Sequence, residues 1–305
     1  NKIENLPENT KHSLAYLNSA FNTNYLKIVI KKNYSLNKPL ILYNITTEKI
    51  TSTNINQRLD IVLEENSKLN LINFFTDSSS NNFINIYHDF KVRKDSILKN
   101  YKIDNKENSN IKYFYNDIDL DQNSLVENFI LSCGSKFIKN EINCNLKEQY
   151  ASAFVSGIIN LSNSQQHEIK TNINHLEQNT KSYQLIKSVL NENSKGIFQG
   201  KIFVNSRAQK TDGYQLSKAI LLNKNAEFDA KPELEIYADD VKCSHGSTSG
   251  SLDENSVFYL MSRGLSNNEA KKLLINGFML DAIEKITDIE IKKLIKEIMG
   301  ISEWI

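Results

Sequence analysis

A thiol and an imidazole stand two residues apart in the last quarter of the chain, in the run Lys242-Cys-Ser-His-Gly246. Residues two apart on a strand face the same side, so Cys243 and His245 would present a soft sulfur donor and a ring nitrogen together. Two donors make half a metal site. The remaining ligands would have to come from elsewhere in the chain or from a partner. The competing reading of the same pair is a buried thiol beside a hydrogen-bonded imidazole. Just upstream, Glu233, Glu235, Asp239 and Asp240 carry donor oxygens, and read most simply as solvated positions on a strand and its turn.

The other histidines offer less. His12 falls in an N-terminal helical pattern and reads as a surface residue. His88 and His167 stand among polar neighbours and read as solvated or structural, and His175, ahead of the polar stretch 176–180, reads as a residue that caps or orients a turn. No GxxxxGK[ST] loop, GxGxxG, HExxH or GxSxG occurs, so the expectation is that the chain binds no nucleotide itself. Gly134-Ser-Lys136 lacks the upstream glycine of a phosphate loop and reads as a turn. Cys133, Cys144 and Cys243 are odd in number, with no CxxC spacing, and are expected to be reduced thiols.

The elements that must position these residues fall into three stretches. With 305 residues the chain is long enough for one large domain or two ordinary ones. Lys and Arg number 37 against 36 Asp and Glu, a net charge of +1, which argues against a partner held by counterion release; no nucleic acid and no membrane surface is expected. The apolar runs are far short of the roughly 20 residues a bilayer span needs, and NKIENLPENT lacks the regions of a signal peptide, so the expected location is cytoplasmic.

Residues 7–22 carry Leu14, Leu17, Ala20 and Phe21 at helical spacing. From Tyr25 to about Gly250 short alternating segments follow one another, among them 25–30, 59–63, 69–74, 83–87 and 197–204, the signature of half-buried strands. Only 182–190 suggests a helix within this region. Glycine and proline are scarce, and about 40 asparagines are available to make the turns, a residue that tolerates the left-handed backbone region; a nucleotide bias enriching Asn, Lys and Ile is the competing explanation. Stacked short strands with polar corners suit a parallel β-helix, but no sequence period is visible, and a sandwich or barrel stays open at this point.

At the C-terminus the local signals are strong. Asp253 and Glu254 open a short helix over 255–262 that closes at Arg263-Gly264. Ser266-Asn-Asn-Glu269 is a capping box ahead of the apolar stripe Ala270, Leu273, Leu274, Phe278, Ala282 and Ile286, and Thr287-Asp-Ile-Glu290 repeats it before a third helix stopped by Gly300.

Residues 175–283 carry a more specific pattern: His175-Leu176, Gly196-Ile-Phe-Gln-Gly-Lys201, Ala208-Gln-Lys-Thr-Asp212 with Gln215, Leu221-Leu222, Lys231-Pro-Glu-Leu-Glu-Ile236, Asp239-Asp-Val-Lys-Cys-Ser-His-Gly246, and Phe258-Tyr-Leu260 with Ser262-Arg-Gly264. Together these resemble the SufB/SufD family of the SufBCD iron–sulfur cluster assembly complex, on its SufD side. Before residue 175 the likeness is one of general character, with Leu17-Asn-Ser-Ala-Phe21 similar to the end of the family's N-terminal helical region.

The resemblance implies a mainly β chain. It would have a remnant of the N-terminal helical region over 1–24, a right-handed parallel β-helix over 25–250 and a helical domain over 251–305. It also implies a non-catalytic scaffold that pairs with SufB through the β-helix and docks the ATPase SufC on the C-terminal helices, with ATP entering only through SufC. Carried over by position, His245, with Cys243 as a weaker candidate, would be a ligand for transient iron or an iron–sulfur cluster at the SufB interface, no cofactor being held stably by the chain alone. Phe258, Tyr259, Arg263, Gly264 and Phe278 would serve partner binding. The competing expectations are a SufB-like or homodimeric scaffold and a polysaccharide-acting β-helix enzyme.

Overall fold

The structure is a computed structural model and describes residues 13–22 and 24–301. After a first helix α1 (Ser13–Phe21) come sixteen strands, β1 (Asn24–Ile30) to β16 (Val241–Gly250), then three helices, α2 (Glu254–Ser262), α3 (Asn267–Ile283) and α4 (Ile289–Ile298). The odd-numbered strands form one eight-stranded sheet and the even-numbered strands another, each strand pairing in parallel with the strand two before and two after it. Such a path is a β-helix flattened to two faces, in which every coil contributes one strand to each sheet. The open choice among β architectures is settled in its favour.

Columns of stacked side chains fill the interior. In the odd-strand sheet Ile30, Leu63, Val92, Leu120, Leu146, His175, Val204 and Ile236 succeed one another in register. Coil length is not constant along this column, since Leu120 meets Leu146, 26 residues on, whereas Ile30 meets Leu63, 33 residues on. That variation hides the repeat from sequence. Among the described residues, eleven non-glycine residues adopt positive φ, six of them asparagine, and they stand at the corners between strands. Corner side chains also bond along the stack, as Asn66 to Asn33 at 2.9 Å and Asn123 to Asp95 at 2.7 Å. Asparagine therefore does make turns here, and buried asparagines continue the ladders inside, with Asn100 donating to Asn128 at 2.6 Å.

Each outer face carries helix. The α1 helix lies on the odd-strand sheet, where Asn18 donates to the carbonyls of Gln57 and Asn85. The expected helix over 7–22 is described only from Ser13, and His12 lies outside the described residues. Helices α3 and α4 cover the even-strand sheet through Met279, Ala282, Ile283, Ile291 and Ile295, which pack on Tyr101, Phe129, Ile158 and Leu185. Among the described residues no helix is long and apolar enough to cross a membrane.

Two local expectations are corrected, and a third is decided between its alternatives. Residues 182–190 are strand, within β12 (Lys181–Leu190), and not helix. Of the solvated and structural readings of His88 and His167, the structural one holds: both are buried, and His167 bonds the Ser132 hydroxyl at 3.0 Å and the Ser135 carbonyl at 2.7 Å. The box read at Thr287 moves one residue on, because Asp288 caps α4 while the Thr287 hydroxyl and amide are taken by the buried Glu127 carboxylate of β8 (Leu125–Ser132). The Ser266–Glu269 box forms in full, and Asp253 caps α2.

Candidate functional site

The last coil is where the β-helix stops. Its strands, β15 (Glu227–Ile236) and β16, are the edges of their sheets, each bonded on one side only and largely exposed. Edge strands present unpaired backbone donors and acceptors, and small flat ones invite a partner strand. The β16 sequence Cys243-Ser-His-Gly-Ser-Thr-Ser-Gly250 is flat and small-residued apart from the imidazole.

Register places both sequence-derived donors on the inward-facing side of this strand. Cys243 follows Gly213 in its column, and His245 follows Gln215. Since Gln215 is fully buried one coil earlier, His245 continues an interior column at the point where no further coil covers it. His245 is exposed, whereas Cys243 is half-buried against Ile202, Val204, Ala208 and Ala238. A methyl on Gly213 would stand 3.3 Å from the Cys243 sulfur, so the glycine leaves room for the thiol. Burial pushes the Cys243 thiol above its ordinary pKa, which disfavours thiolate until a cation or partner arrives. Both readings of the pair keep a part: the thiol packs, and the imidazole is presented.

Beneath His245 runs a ladder that sequence reading missed. The Thr171 hydroxyl donates to Gln184 Oε1 at 2.5 Å, Gln184 Nε2 to Gln215 Oε1 at 3.4 Å, and Gln215 Nε2 to the Gly200 carbonyl at 3.1 Å. Thr171 and Gln184 lie 13 positions apart on facing sheets, and Gln184 and Gln215 lie 31 apart on neighbouring strands, so only the coiling brings them together. His175, on the interior wall two coils earlier, bonds Thr180 at 2.8 Å and Ser182 at 2.9 Å, and thus does orient the turn after β11 (Gln166–His175). Glu233 and Glu235 are ion-paired to Lys231 and Lys201 on the outer surface, and Asp239 and Asp240 are exposed at the corner. Among the described residues no group of three or more His, Cys, Asp and Glu is arranged to hold a metal ion. Within the described part of this chain, the open mouth offers two donors.

A second exposed feature lies on α2. Phe258 and Tyr259 are 73% and 56% exposed, and the Arg263 guanidinium sits 5.2 Å from the centre of the Tyr259 ring. Gly264 takes φ +101°, the conformation that lets the helix stop there. Phe278 is placed differently. It packs in the layer between α3 and the even-strand sheet, with the Lys187 ammonium 4.2 Å above its ring.

Residues 44–278 match the family profile for the core domain of SufBD proteins of the SUF system of FeS cluster assembly. The chain belongs to the SufBD family. It is 26% identical over 90% of its length to the iron–sulfur cluster assembly protein SufD of Escherichia coli, covering 65% of that protein. It is likewise 26% identical to a SufBD family protein of Synechocystis over 88% of this chain and 62% of the relative. Against the chloroplastic protein ABCI7 of Arabidopsis thaliana it is 27% identical over 78% of this chain and 50% of the relative. The chain thus spans less than two thirds of the length of each of these relatives. Parallel β-helices host unrelated chemistries, so membership in the family, not the fold, carries the link to cluster assembly.

Proposed function

We propose that this chain is a non-catalytic, cytoplasmic scaffold of iron–sulfur cluster assembly that pairs with SufB through the last coil of its β-helix and carries SufC on its C-terminal helices. The reading rests on one observation above all: the exposed His245 ends a buried polar column at an open coil whose two strands are each bonded on one side only. A second β-helix seated there would cover the mouth, exclude water, and bring its own donors opposite His245 and Cys243. Iron or nascent cluster is then cargo held between two proteins, with imidazole nitrogen and thiolate sulfur both competent ligands. The exposed Phe258–Tyr259 pair is of the kind that anchors protein interfaces, and it fits the SufC-docking role, with Arg263 and Gly264 shaping the helix end.

The test is the mass of the chain alone and mixed with SufB and SufC, by size exclusion with light scattering, followed by metal analysis of the complex. A complex with one copy of this chain and two of SufC, whose iron content falls in His245→Ala without loss of assembly, is expected. Unchanged iron content would sink the ligand role. A chain that ignores SufB and instead self-associates with SufC would favour a homodimeric scaffold.

A further inference from the structure

An apolar groove of about 440 Å³ runs across the outer face of the even-strand sheet, beside the connection from α3 to α4. Leu125, Phe154 and Tyr183 floor it, and Lys285 and Thr287 wall it. Tyr183 stacks on Tyr214 with ring centres 5.3 Å apart, which carries the aromatic floor toward the last coils.

The rim is basic. Lys99 lines the floor, and the Lys285 ammonium stands 4.8 Å from the Tyr183 ring. Lys68 and Lys181 occupy the two ends of the row that reads Lys68, Ile97, Leu125, Ser152, Lys181 in register, and Asp212 lies one strand further. Among the described residues none of the four lysines enters an ion pair. The nearby carboxylates are engaged elsewhere. Glu127 accepts from Thr287 and from the Tyr101 hydroxyl at 2.8 Å; Asp288 caps α4 and accepts from Asn70; Asp281 pairs with Lys187; Glu284 pairs with Lys292 and Lys296.

We propose that this groove docks an acidic, extended peptide segment with at least one apolar side chain. Lys68 and Lys181 are four strand spacings apart, about 19 Å, which about six extended residues would span. A compact anion would reach only one or two of the four ammonium groups, whereas a peptide crossing the strands reaches all of them. Its apolar side chain would cover Phe154 and Tyr183. Charge complementarity sets the register and on-rate, and the buried aromatic contact supplies most of the affinity. The groove lies on the outer face of the even-strand sheet, whereas His245 continues the inward-facing column of Gln184 and Gln215, so the inference stands apart from the metal-ligand reading.

The experiment is an anisotropy titration of the full chain against a fluorescein-labelled hexapeptide, Glu-Asp-Phe-Glu-Leu-Glu, with the same peptide carrying Gln for each acid as control. Saturable binding, lost with added salt and weakened about tenfold by the pair Lys99→Glu and Lys285→Glu, is expected. Lys285 is exposed and Lys99 half-exposed on the outer face of the sheet, so circular dichroism should report an unchanged fold. Binding that survives both reversals, equal binding of the Gln peptide, or no binding at millimolar peptide overturns the proposal. Dodecanoate binding without peptide binding would overturn it in favour of a small amphiphile.

Discussion

Inside the β-helix the Lys112 ammonium lies 2.6 Å from the Asp104 carboxylate, and neither side chain has any solvent exposure. Asp77 shares the same ammonium and also accepts a hydrogen bond from the Thr46 hydroxyl. Coulombic attraction here offsets a large desolvation cost, so the arrangement adds little while intact and costs much when broken. Lys112→Met, which strands two buried carboxylates, is expected to lower unfolding free energy by about 3–5 kcal/mol. Urea denaturation followed by circular dichroism measures it, and a loss under about 1 kcal/mol would overturn the expectation.

Three buried imidazoles make stability depend on acid. Burial pushes His88, His167 and His175 down to about 4 from 6.5. Their folded-state pKa lies below the unfolded one, so the unfolded chain binds protons first. Stability contributed by their neutral forms is therefore present above about pH 6.5 and is lost progressively toward pH 4. Urea midpoints measured across that window should fall with pH, and His175→Gln should make the fall shallower. A pH-independent midpoint would contradict the burial of all three.

At the corner between β8 and β9 (Ser135–Leu146), Gly134 is required for space and not for backbone conformation. A Cβ there would collide with the Lys106 carbonyl oxygen and stand 2.7 Å from Asp104 Oδ1. Since the carbonyl belongs to the preceding coil and cannot swing away, Gly134→Ala should cost about 1–3 kcal/mol. Differential scanning calorimetry would register it as a lower Tm, and an unchanged Tm would mean the corner yields.

The α2 aromatics separate partner binding from folding. Phe258→Asp, at a position 73% exposed, should change stability by less than about 0.5 kcal/mol while abolishing the co-elution of SufC that the proposed docking predicts. Pairing with SufB should persist. If SufC still co-elutes, its docking site lies elsewhere on the chain.

Where only one face of a strand is buried, the sequence announced it, as in 59–63, where Leu59, Ile61 and Leu63 are buried and Asp60 and Val62 are half-exposed. Residues 182–190 escaped because both faces are buried: Gln184, Ile186 and Ser188 point inward, while Leu185 and Val189 lie under the C-terminal helices. Alternation vanishes when water is absent from both sides. For His167 the solvated and structural readings stayed open in sequence because its polar neighbours Gln165 and Glu168, surface-like in type, are themselves buried. The strand placement of Cys243 and His245 was legible from spacing, whereas the Thr171–Gln184–Gln215 ladder was not, because it exists only once the register is known. Capping was local enough to read at Ser266, and failed at Thr287 where a carboxylate 160 positions away intervened.

Coils that vary between 26 and 33 residues also say how such a chain can change over generations. Each coil bonds only to its neighbours, and the surplus residues sit at corners, so an insertion or deletion there leaves every column in step. Descent with small length changes could then erase the ancestral repeat from the text of the protein while the stack that embodies it goes on being inherited.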